Sequence, residues 1–331
     1  MATVRPYGGH WSKVVPDPAD GAVVTCSTLP EGPGGWWHQV LNVDPRESLG
    51  EGIKVGVIDT GVGPHPCLNV TDLGAFHHGS PASPGTDPDG HGTHVTGLIA
   101  GQASAAHHFS GVATGSAVAS ARACDHRSKA HQGAIANALD ALSDGFGADL
   151  VNISLASAQA SEILREALQD ARDRGTLCVC AAGNSGLAVR FPAAFPEAVA
   201  VAALGQRNWG ATASLATLHL PASPDLHGRD NLYVATFSCH GPQVFCAAPG
   251  VGIISAIPSS DGRALYAEMD GTSTASPLAC GVLASRLSRD NGYKGLPHDA
   301  SRAERARTVL RESCMVIGLD AEYVGFGCRQ M

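Results

Sequence analysis

Short runs of apolar, often β-branched residues alternate along this chain with segments of helical periodicity. Strands are predicted at 54–59, 116–124, 149–156, 176–184 and 197–204. Helices are predicted at 94–102, 132–147 and 160–175, and GGWWHQVLNV near residue 36 predicts a short helix or turn. The strand segments lack polar alternation, so both of their faces should be buried. This order predicts an α/β fold in three layers, with a mostly parallel central sheet and helices on both faces.

Two stretches depart from this pattern. Residues 1–35 are rich in Pro and Gly without periodicity, and they predict an extended N-terminal arm before one domain at 36–331. Residues 205–232 form a long, partly polar connection. A loop of this length in a compact domain is often functional, but a tolerated surface insertion is an equally good interpretation.

Composition narrows the classes of protein that this chain can belong to. Of its 331 residues, 44% are hydrophobic and 16% are charged, which is typical of a well-buried globular protein. The net charge of −8 argues against nucleic acid as a partner. The sequence contains no run of 18 apolar residues, so no membrane-spanning helix is predicted. The N-terminus lacks a signal-peptide pattern, so we expect a cytoplasmic protein, or a secreted one if a leader is missing from this sequence.

Cysteine and histidine usage gives no indication of a metal site. The ten cysteines include no CxxC pair, and Cys178 and Cys180 lie in an apolar strand. Mostly free, buried thiols in a reducing compartment are expected. The neighbouring pairs His77–His78 and His107–His108 have no third ligand at a suitable spacing and are expected to be exposed to solvent. We therefore expect no metal and no cofactor.

Four glycine-rich segments carry the residue types that acyl transfer needs. They are VGVIDTGVGPHP with Asp59, DPDGHGTHVTG with His91, CVCAAGNSG with Asn184 and MDGTSTASP with Ser273. A serine hydroxyl needs an adjacent base, and a histidine base needs a carboxylate that fixes its tautomer. Ser273 precedes a predicted helix, whose free N–H groups would face a developing oxyanion, and the amide of Asn184 offers a second donor.

These segments resemble the signature blocks of the subtilisin family, in that family's order of Asp, His and Ser. The resemblance covers about residues 36–328 and implies a serine endopeptidase acting on peptides or proteins. It implies that Asp59 orients His91, that His91 is the general base, that Ser273 is the nucleophile and that Asn184 helps to hold the oxyanion. His94, the second histidine of HGTH, is expected to pack in the interior. The family's calcium loop is not recognisable after His91.

The resemblance also implies substrate-binding residues. Ser154, Leu155 and Ala156 match the family's Ser-Leu-Gly, a strand edge that pairs with substrate backbone. Ala156 replaces the usual glycine, and its methyl group would narrow the neighbouring pocket. Arg190 falls where the family keeps a small residue at the base of the S1 pocket. One hypothesis is that Arg190 projects into S1 and favours an acidic or polar P1 side chain; the alternative is that it points to solvent.

Other classes of enzyme fit the sequence poorly. An aspartic protease needs two Asp-Thr-Gly aspartates, and the chain has one in an α/β pattern. An α/β-hydrolase places its serine first, in G-x-S-x-G, whereas Ser273 comes last. Two alternatives stay open at this point: a catalytically silent binding module of the same fold, and a peptide macrocyclase that transfers the acyl group to an amine. The oligomeric state is not predicted.

Overall fold

The computed structural model describes residues 34–77, 84–103, 109–207, 209, 219–260, 262 and 264–329, together with the backbone of two short strands nearer the N-terminus. Three of the four paired histidines, most of the predicted N-terminal arm and residues 208 and 210–218 of the predicted insertion lie outside this description. His77 is half-buried, so the prediction that it is exposed was wrong.

The bounds of the elements are as follows. The strands are β1 (Thr3–Val4), β2 (Val14–Pro16), β3 (Lys54–Asp59), β4 (Thr71–Ala75), β5 (Ala117–Arg122), β6 (Ala130–His131), β7 (Leu150–Ile153), β8 (Leu177–Ala181), β9 (Ala198–Gln206), β10 (Leu232–Val234), β11 (Val244–Pro249), β12 (Ile253–Ile257), β13 (Leu265–Met269), β14 (Cys314–Met315) and β15 (Cys328–Arg329). The α-helices are α1 (Trp36–Leu41), α2 (His91–Ala100), α3 (Gln132–Asp140), α4 (Glu162–Asp173), α5 (Thr272–Leu287), α6 (Asn291–Lys294), α7 (Ala300–Glu312) and α8 (Ala321–Val324).

The central sheet is mostly parallel, as predicted. Its strand order is β14-β15-β11-β9-β8-β7-β3-β5-β4, with β10 added antiparallel to β9. The other antiparallel pair is β14–β15 at one edge. The chain builds outward from β3 toward β4 and β5, then crosses to β7 on the other side. Connections therefore diverge between β3 and β7, and the crevice outside the carboxyl ends of such strands is where α/β sheets bind ligands.

Helices cover both faces of this sheet, which confirms the predicted three layers. Val55 and Val57 of β3 point to one face and pack in a core with Val95 of α2 and Leu283 of α5. Ile58 belongs to the core on the opposite face, which α3 and α4 cover. Strand residues that alternate between two apolar layers need no polar side, and this explains the continuous apolar runs in the sequence.

Element ends differ from the predictions where capping or backbone geometry decides them. The predicted helix 132–147 is α-helical to Asp140 and continues as a π-helix over Ala141–Phe146. Gly147 ends it in the left-handed conformation, with φ of 69°. The predicted helix at 94–102 begins three residues earlier, at His91. The first two residues of the predicted connection, 205 and 206, belong to β9, which pairs with β10 on the far side of the connection.

Several cysteines are buried free thiols, as expected from their apolar surroundings. These are Cys67, Cys124, Cys178, Cys180 and Cys239. Burial raises the pKa of the Cys67 and Cys178 thiols to about 12, so both stay protonated and unreactive at neutral pH. None of the helices in the described segments is long and apolar enough to cross a membrane.

Candidate active site

The site begins at the end of β3, where Asp59 and His91 form a buried pair. Asp59 is the last residue of that strand and His91 is the first residue of α2. His91 Nδ1 lies 2.7 Å from Asp59 Oδ1, which also accepts the Thr60 N–H at 2.7 Å. Since Nδ1 must donate to the carboxylate, Nε2 of the neutral ring carries the lone pair. This is the tautomer that a general base requires.

A second carboxylate, Asp87, fixes the start of the helix that carries His91. Its oxygens accept the N–H of Gly90 at 2.8 Å and both the N–H and the hydroxyl of Thr93, at 2.8 and 2.6 Å. Asp87 also accepts the Thr60 hydroxyl at 2.8 Å, next to Asp59. Gly90 has φ of 100°, a conformation that favours glycine. Asp87 thus ties the His91 helix to the Asp59 turn.

The electrostatic environment of His91 favours its charged form. Burial of the imidazole opposes protonation, but the charge of Asp59, their hydrogen bond and the charges of Asp89 and Asp87 act the other way, and the pKa of His91 is raised above its usual value. The imidazolium that would form when this base takes up a proton is therefore stabilised.

Ser273 lies in the first turn of α5 beside Gly271, where a side chain would collide with the Ser273 hydroxyl. A Cβ built on Gly271 would lie 2.7 Å from Ser273 Oγ and 3.1 Å from Asn184 Nδ2. The close approach shows that the hydroxyl and the amide border the same small space. The Ser273 N–H belongs to the first turn, where no intrahelical carbonyl is available to accept it.

Thr272 orients the amide of Asn184. Asn184 Oδ1 accepts the Thr272 N–H at 2.8 Å and the Thr272 hydroxyl at 2.7 Å. The hydroxyl oxygen of Thr272 in turn accepts the N–H of Gly183 at 3.0 Å. With Oδ1 held by two donors, Nδ2 faces the space beside Gly271 and Ser273. Thr272 was not among the site residues predicted from the sequence, although its position beside Ser273 was a usable signal.

The side chain of Ser154 holds the Ser273 segment by hydrogen bonds on its interior side. Its hydroxyl donates to the carbonyl of Ser273 at 2.8 Å and accepts from Asn152 Nδ2 at 2.9 Å. Ser276, one turn along α5, donates to Asn152 Oδ1 at 2.6 Å. The side chain of Ser154 therefore faces the interior, and only its backbone is available to a substrate. This buried network joins the end of β7 to the start of α5.

Leu155 and Ala156 continue from Ser154 along the same edge. Both side chains are buried, and the next residue, Ser157, exchanges backbone hydrogen bonds with Phe191 at 2.8 and 2.9 Å. The residue before Phe191 is Arg190, so the predicted strand edge and the predicted pocket residue are neighbours in space.

Arg190 lies against the segment that carries Asn184. Its Nε and Nη2 donate to Ser185 Oγ at 3.3 and 3.0 Å. A Cβ on Gly183 would come within 2.6 Å of Arg190 Cγ, so the arginine packs along this glycine. The side chain is half-buried and follows the wall next to Asn184 instead of extending freely into solvent.

The remaining histidine of the HGTH motif packs in the interior, as predicted. His94 Nε2 lies 3.2 Å from the carbonyl of Ile253 and 3.1 Å from that of Ala267. Burial lowers its pKa to about 3, so the ring is neutral and donates to both carbonyls. In the segments described, no group of three or more His, Cys, Asp or Glu side chains is placed to hold a metal ion.

A buried Asp–His pair and a serine at a helix N-terminus beside an oriented amide all lie at the carboxyl ends of a parallel sheet. These are the groups that a serine nucleophile needs on an α/β scaffold. Among the described residues, neither His91 Nε2 nor Ser273 Oγ has a hydrogen-bond partner. The subtilase family (Peptidase_S8) matches residues 50–323, and the chain belongs to that family.

Individual relatives agree with this assignment. M-protease from Shouchella clausii (strain KSM-K16) is 33% identical over 240 residues, which cover 72% of this chain and 55% of that protein. Subtilisin BL from Lederbergia lenta is 34% identical over 242 residues, covering 72% and 77% of the two chains. Fervidolysin from Fervidobacterium pennivorans, described as a keratinolytic enzyme related to subtilisin, shares the fold with a TM-score of 0.74 at 22% identity. The match covers 99% of this chain and 50% of fervidolysin, so this chain spans about half the length of fervidolysin and of M-protease.

Proposed function

We propose that this protein is a serine endopeptidase that hydrolyses peptide bonds through an acyl-enzyme on Ser273. The observation that carries the proposal is the 2.7 Å contact between Asp59 and His91, which leaves Nε2 of the ring as the proton acceptor. Membership of the subtilase family and the names of the relatives, among them proteases and subtilisins, support the same activity.

In the first half of the reaction, Ser273 Oγ attacks the peptide carbonyl and its proton passes to His91 Nε2. Asp59 stabilises the imidazolium through the bond to Nδ1. Negative charge develops on the carbonyl oxygen, and the Ser273 N–H and Asn184 Nδ2 donate to it. When the C–N bond breaks, His91 returns the proton to the leaving amine, and the acyl group stays on Ser273 as an ester.

In the second half, water replaces the amine. His91 takes a proton from the water as it attacks the ester carbonyl, and the same two donors hold the oxyanion. The C–O bond to Ser273 then breaks and His91 returns the proton to Oγ. The products are two shorter peptides, and the net reaction adds one water molecule.

The substrate is a peptide or protein that binds in extended form beside Ser154–Ala156. The backbone of this edge pairs with the substrate, in the mode in which main-chain bonds give affinity and side-chain pockets give specificity. The methyl group of Ala156 narrows the adjoining pocket. No side chain of the edge supplies charge, so selectivity for charged residues has to come from the neighbouring wall.

Arg190 is the residue of that wall that sets the P1 preference. Its guanidinium already donates to Ser185 Oγ, and the N–H groups left over would hold a P1 carboxylate. Wild type should therefore cleave after Glu or Asp in preference to Leu, and Arg190→Ala should reverse that order. Arg190→Lys, which keeps the charge, is the matched control. A P1 peptide library that gives equal cleavage after Glu and Leu by wild type and Arg190→Ala would contradict this assignment.

The cytoplasmic location expected from the sequence is part of the proposal. The free, buried thiols of Cys67, Cys124, Cys178, Cys180 and Cys239 suit a reducing compartment. A relative from Bacillus subtilis is named a minor extracellular protease, so detection of the protein in separated cytoplasmic and culture-medium fractions should decide the compartment.

The activity itself is tested by incubating proteome-derived peptides with wild type and with Ser273→Ala. We expect wild type to give cleaved linear products and Ser273→Ala to give none. A product lighter by one water than the linear cleaved peptide would indicate transpeptidation. Intact peptides in both samples would indicate a silent binding module and overturn the proposal.

A further inference from the structure

A groove that does not include the proposed catalytic residues lies at the amino ends of strands of the central sheet. It has a volume of about 1050 Å³ and adjoins Ala198 and Val244, the first residues of β9 and β11. These strands run parallel to β8, whose carboxyl end leads to Asn184. The groove is therefore at the amino ends of the strands, a full strand length from the active site. Its outer wall is the C-terminal half of α7.

Aromatic rings form much of the groove surface. Phe195 and Phe245 are buried, whereas Phe326 is 49% exposed. The Phe245 and Phe326 rings lie 5.1 Å apart in an edge-to-face arrangement. The half-exposed ring of Phe326 and the two buried rings form an apolar surface against which a ligand can pack.

Two arginines one helical turn apart lie over these rings. Arg307 Cζ is 4.9 Å from the centre of Phe245, and Arg311 Cζ is 5.9 Å from the centre of Phe326. Arg307 also donates from Nη1 to the carbonyl of Ala198 at 3.1 Å. Residues four apart on a helix share one face, so both guanidinium groups border the same space.

The acidic residues that line the groove are engaged elsewhere. Glu304 lies 3.6 Å from Arg172, and Glu322 lies 3.1 Å from His240. Within the described segments neither Arg307 nor Arg311 forms an ion pair. Burial lowers the pKa of Arg307, and the nearby glutamates offset this only in part. The groove is therefore lined by two arginines and two glutamates, and of these charged groups only the arginines lie over its aromatic rings.

We propose that this groove is a binding site for the carboxyl terminus of a peptide whose last residue is aromatic or aliphatic. A C-terminal residue carries its side chain and its carboxylate on the same Cα, so an apolar group and a negative charge lie close together. In the groove, phenylalanine rings and guanidinium groups lie equally close together. The rings take the side chain, and Arg307 and Arg311 take the carboxylate through charge-assisted hydrogen bonds. A groove of this size holds more than one side chain, since most small-ligand sites measure about 300–1000 Å³.

The test uses the full chain with Ser273→Ala, so that the probe stays intact. The probe is dansyl-Ala-Ala-Phe with a free carboxyl terminus, and its C-terminal amide is the matched ligand. Fluorescence anisotropy should show that the acid binds about tenfold or more tightly than the amide, as expected for hydrogen bonds to a charged group. Added salt should weaken binding of the acid and leave binding of the amide nearly unchanged.

Variants locate the site. Arg311→Gln, on the exposed end of α7, should weaken binding of the acid about tenfold with an unchanged melting temperature. Arg289→Gln, an exposed arginine paired with Glu47, is the matched control and should have no effect. Wild type whose Ser273 has been sulfonylated should bind the acid as Ser273→Ala does.

Three results would overturn the inference. They are equal affinity for acid and amide, no loss in Arg311→Gln relative to Arg289→Gln, and loss of binding when Ser273 is sulfonylated, which would place the probe in the catalytic cleft. The first two outcomes do not depend on the proposed peptidase activity. The third does, because sulfonylation needs a reactive Ser273, and the mass of the protein shows whether the adduct has formed.

Discussion

Replacing Thr272 by valine tests whether the amide of Asn184 is held in place by its neighbour. The hydroxyl of Thr272 makes one of the two bonds to Asn184 Oδ1, at 2.7 Å, and the Thr272 N–H makes the other, at 2.8 Å. Valine keeps the shape and the N–H but removes the hydroxyl. Asn184 Nδ2 then becomes free to swing away from the position where the oxyanion develops.

The expected fall in kcat follows from the hydrogen bond that is lost and the one that is kept. One neutral hydrogen bond contributes about 0.5–1.5 kcal/mol, so kcat should fall about 2- to 12-fold. Removing a whole oxyanion donor costs subtilisin about 100- to 1000-fold in kcat, and we expect a loss of the same order in Asn184→Ala. The buried Gly183 N–H also loses its acceptor in Thr272→Val, at about 1–3 kcal/mol of unfolding free energy.

The assay is steady-state hydrolysis of a chromogenic peptide amide, with active enzyme counted by titration. KM should change little, because the donor acts on charge that develops only in the transition state. Thr272→Ser retains the hydroxyl and should restore kcat. Unchanged kcat in Thr272→Val, or an equal loss in Thr272→Ser, would show that the Thr272 hydroxyl does not position the amide as described.

Three further predictions concern charge and stability. Activity needs neutral His91, whose pKa is raised, so kcat/KM should fall as pH drops through a value above about 6.5. Asp89→Asn removes one of the charges that raise this pKa and should move the acidic limb of the profile to lower pH. The control is Asp225→Asn, which changes an exposed carboxylate that does not contribute to the pKa of His91. An unshifted limb in Asp89→Asn, or an equal shift in Asp225→Asn, would contradict this. Asp149→Ala leaves buried Arg302 without its counterion and should lower the free energy of unfolding by about 3–5 kcal/mol. Unfolding in guanidinium chloride measures this, with both proteins carrying Ser273→Ala to prevent autolysis. A loss below about 1 kcal/mol would show that the ion pair is dispensable.

The sheet and the contact between Asp59 and His91 could be predicted because both depend on local patterns. A short, β-branched apolar run such as KVGVID favours a buried strand, and its last residue, Asp59, then lies at the carboxyl edge. The order of the motifs then indicated which residues belong together. Helix and strand bounds were accurate to a few residues wherever glycine or a change of periodicity marks the end.

Bonds between distant segments could not be predicted in this way. The start of α2 at His91 depends on Asp87, whose carboxylate caps from four residues upstream instead of from the position next to the helix. The interior orientation of Ser154 depends on the carbonyl of Ser273, 119 residues away. Neither hydrogen bond follows from a repeating pattern of residues, so neither can be predicted from a single sequence.

Covalent labelling measures most directly whether Ser273 is activated by His91. A fluorophosphonate should add once to wild type, and peptide mapping should place the adduct on Ser273. The rate in His91→Ala should be lower by about 1000-fold or more, because the hydroxyl then has no base. An adduct on another residue, or labelling of His91→Ala at the wild-type rate, would contradict the account of this site.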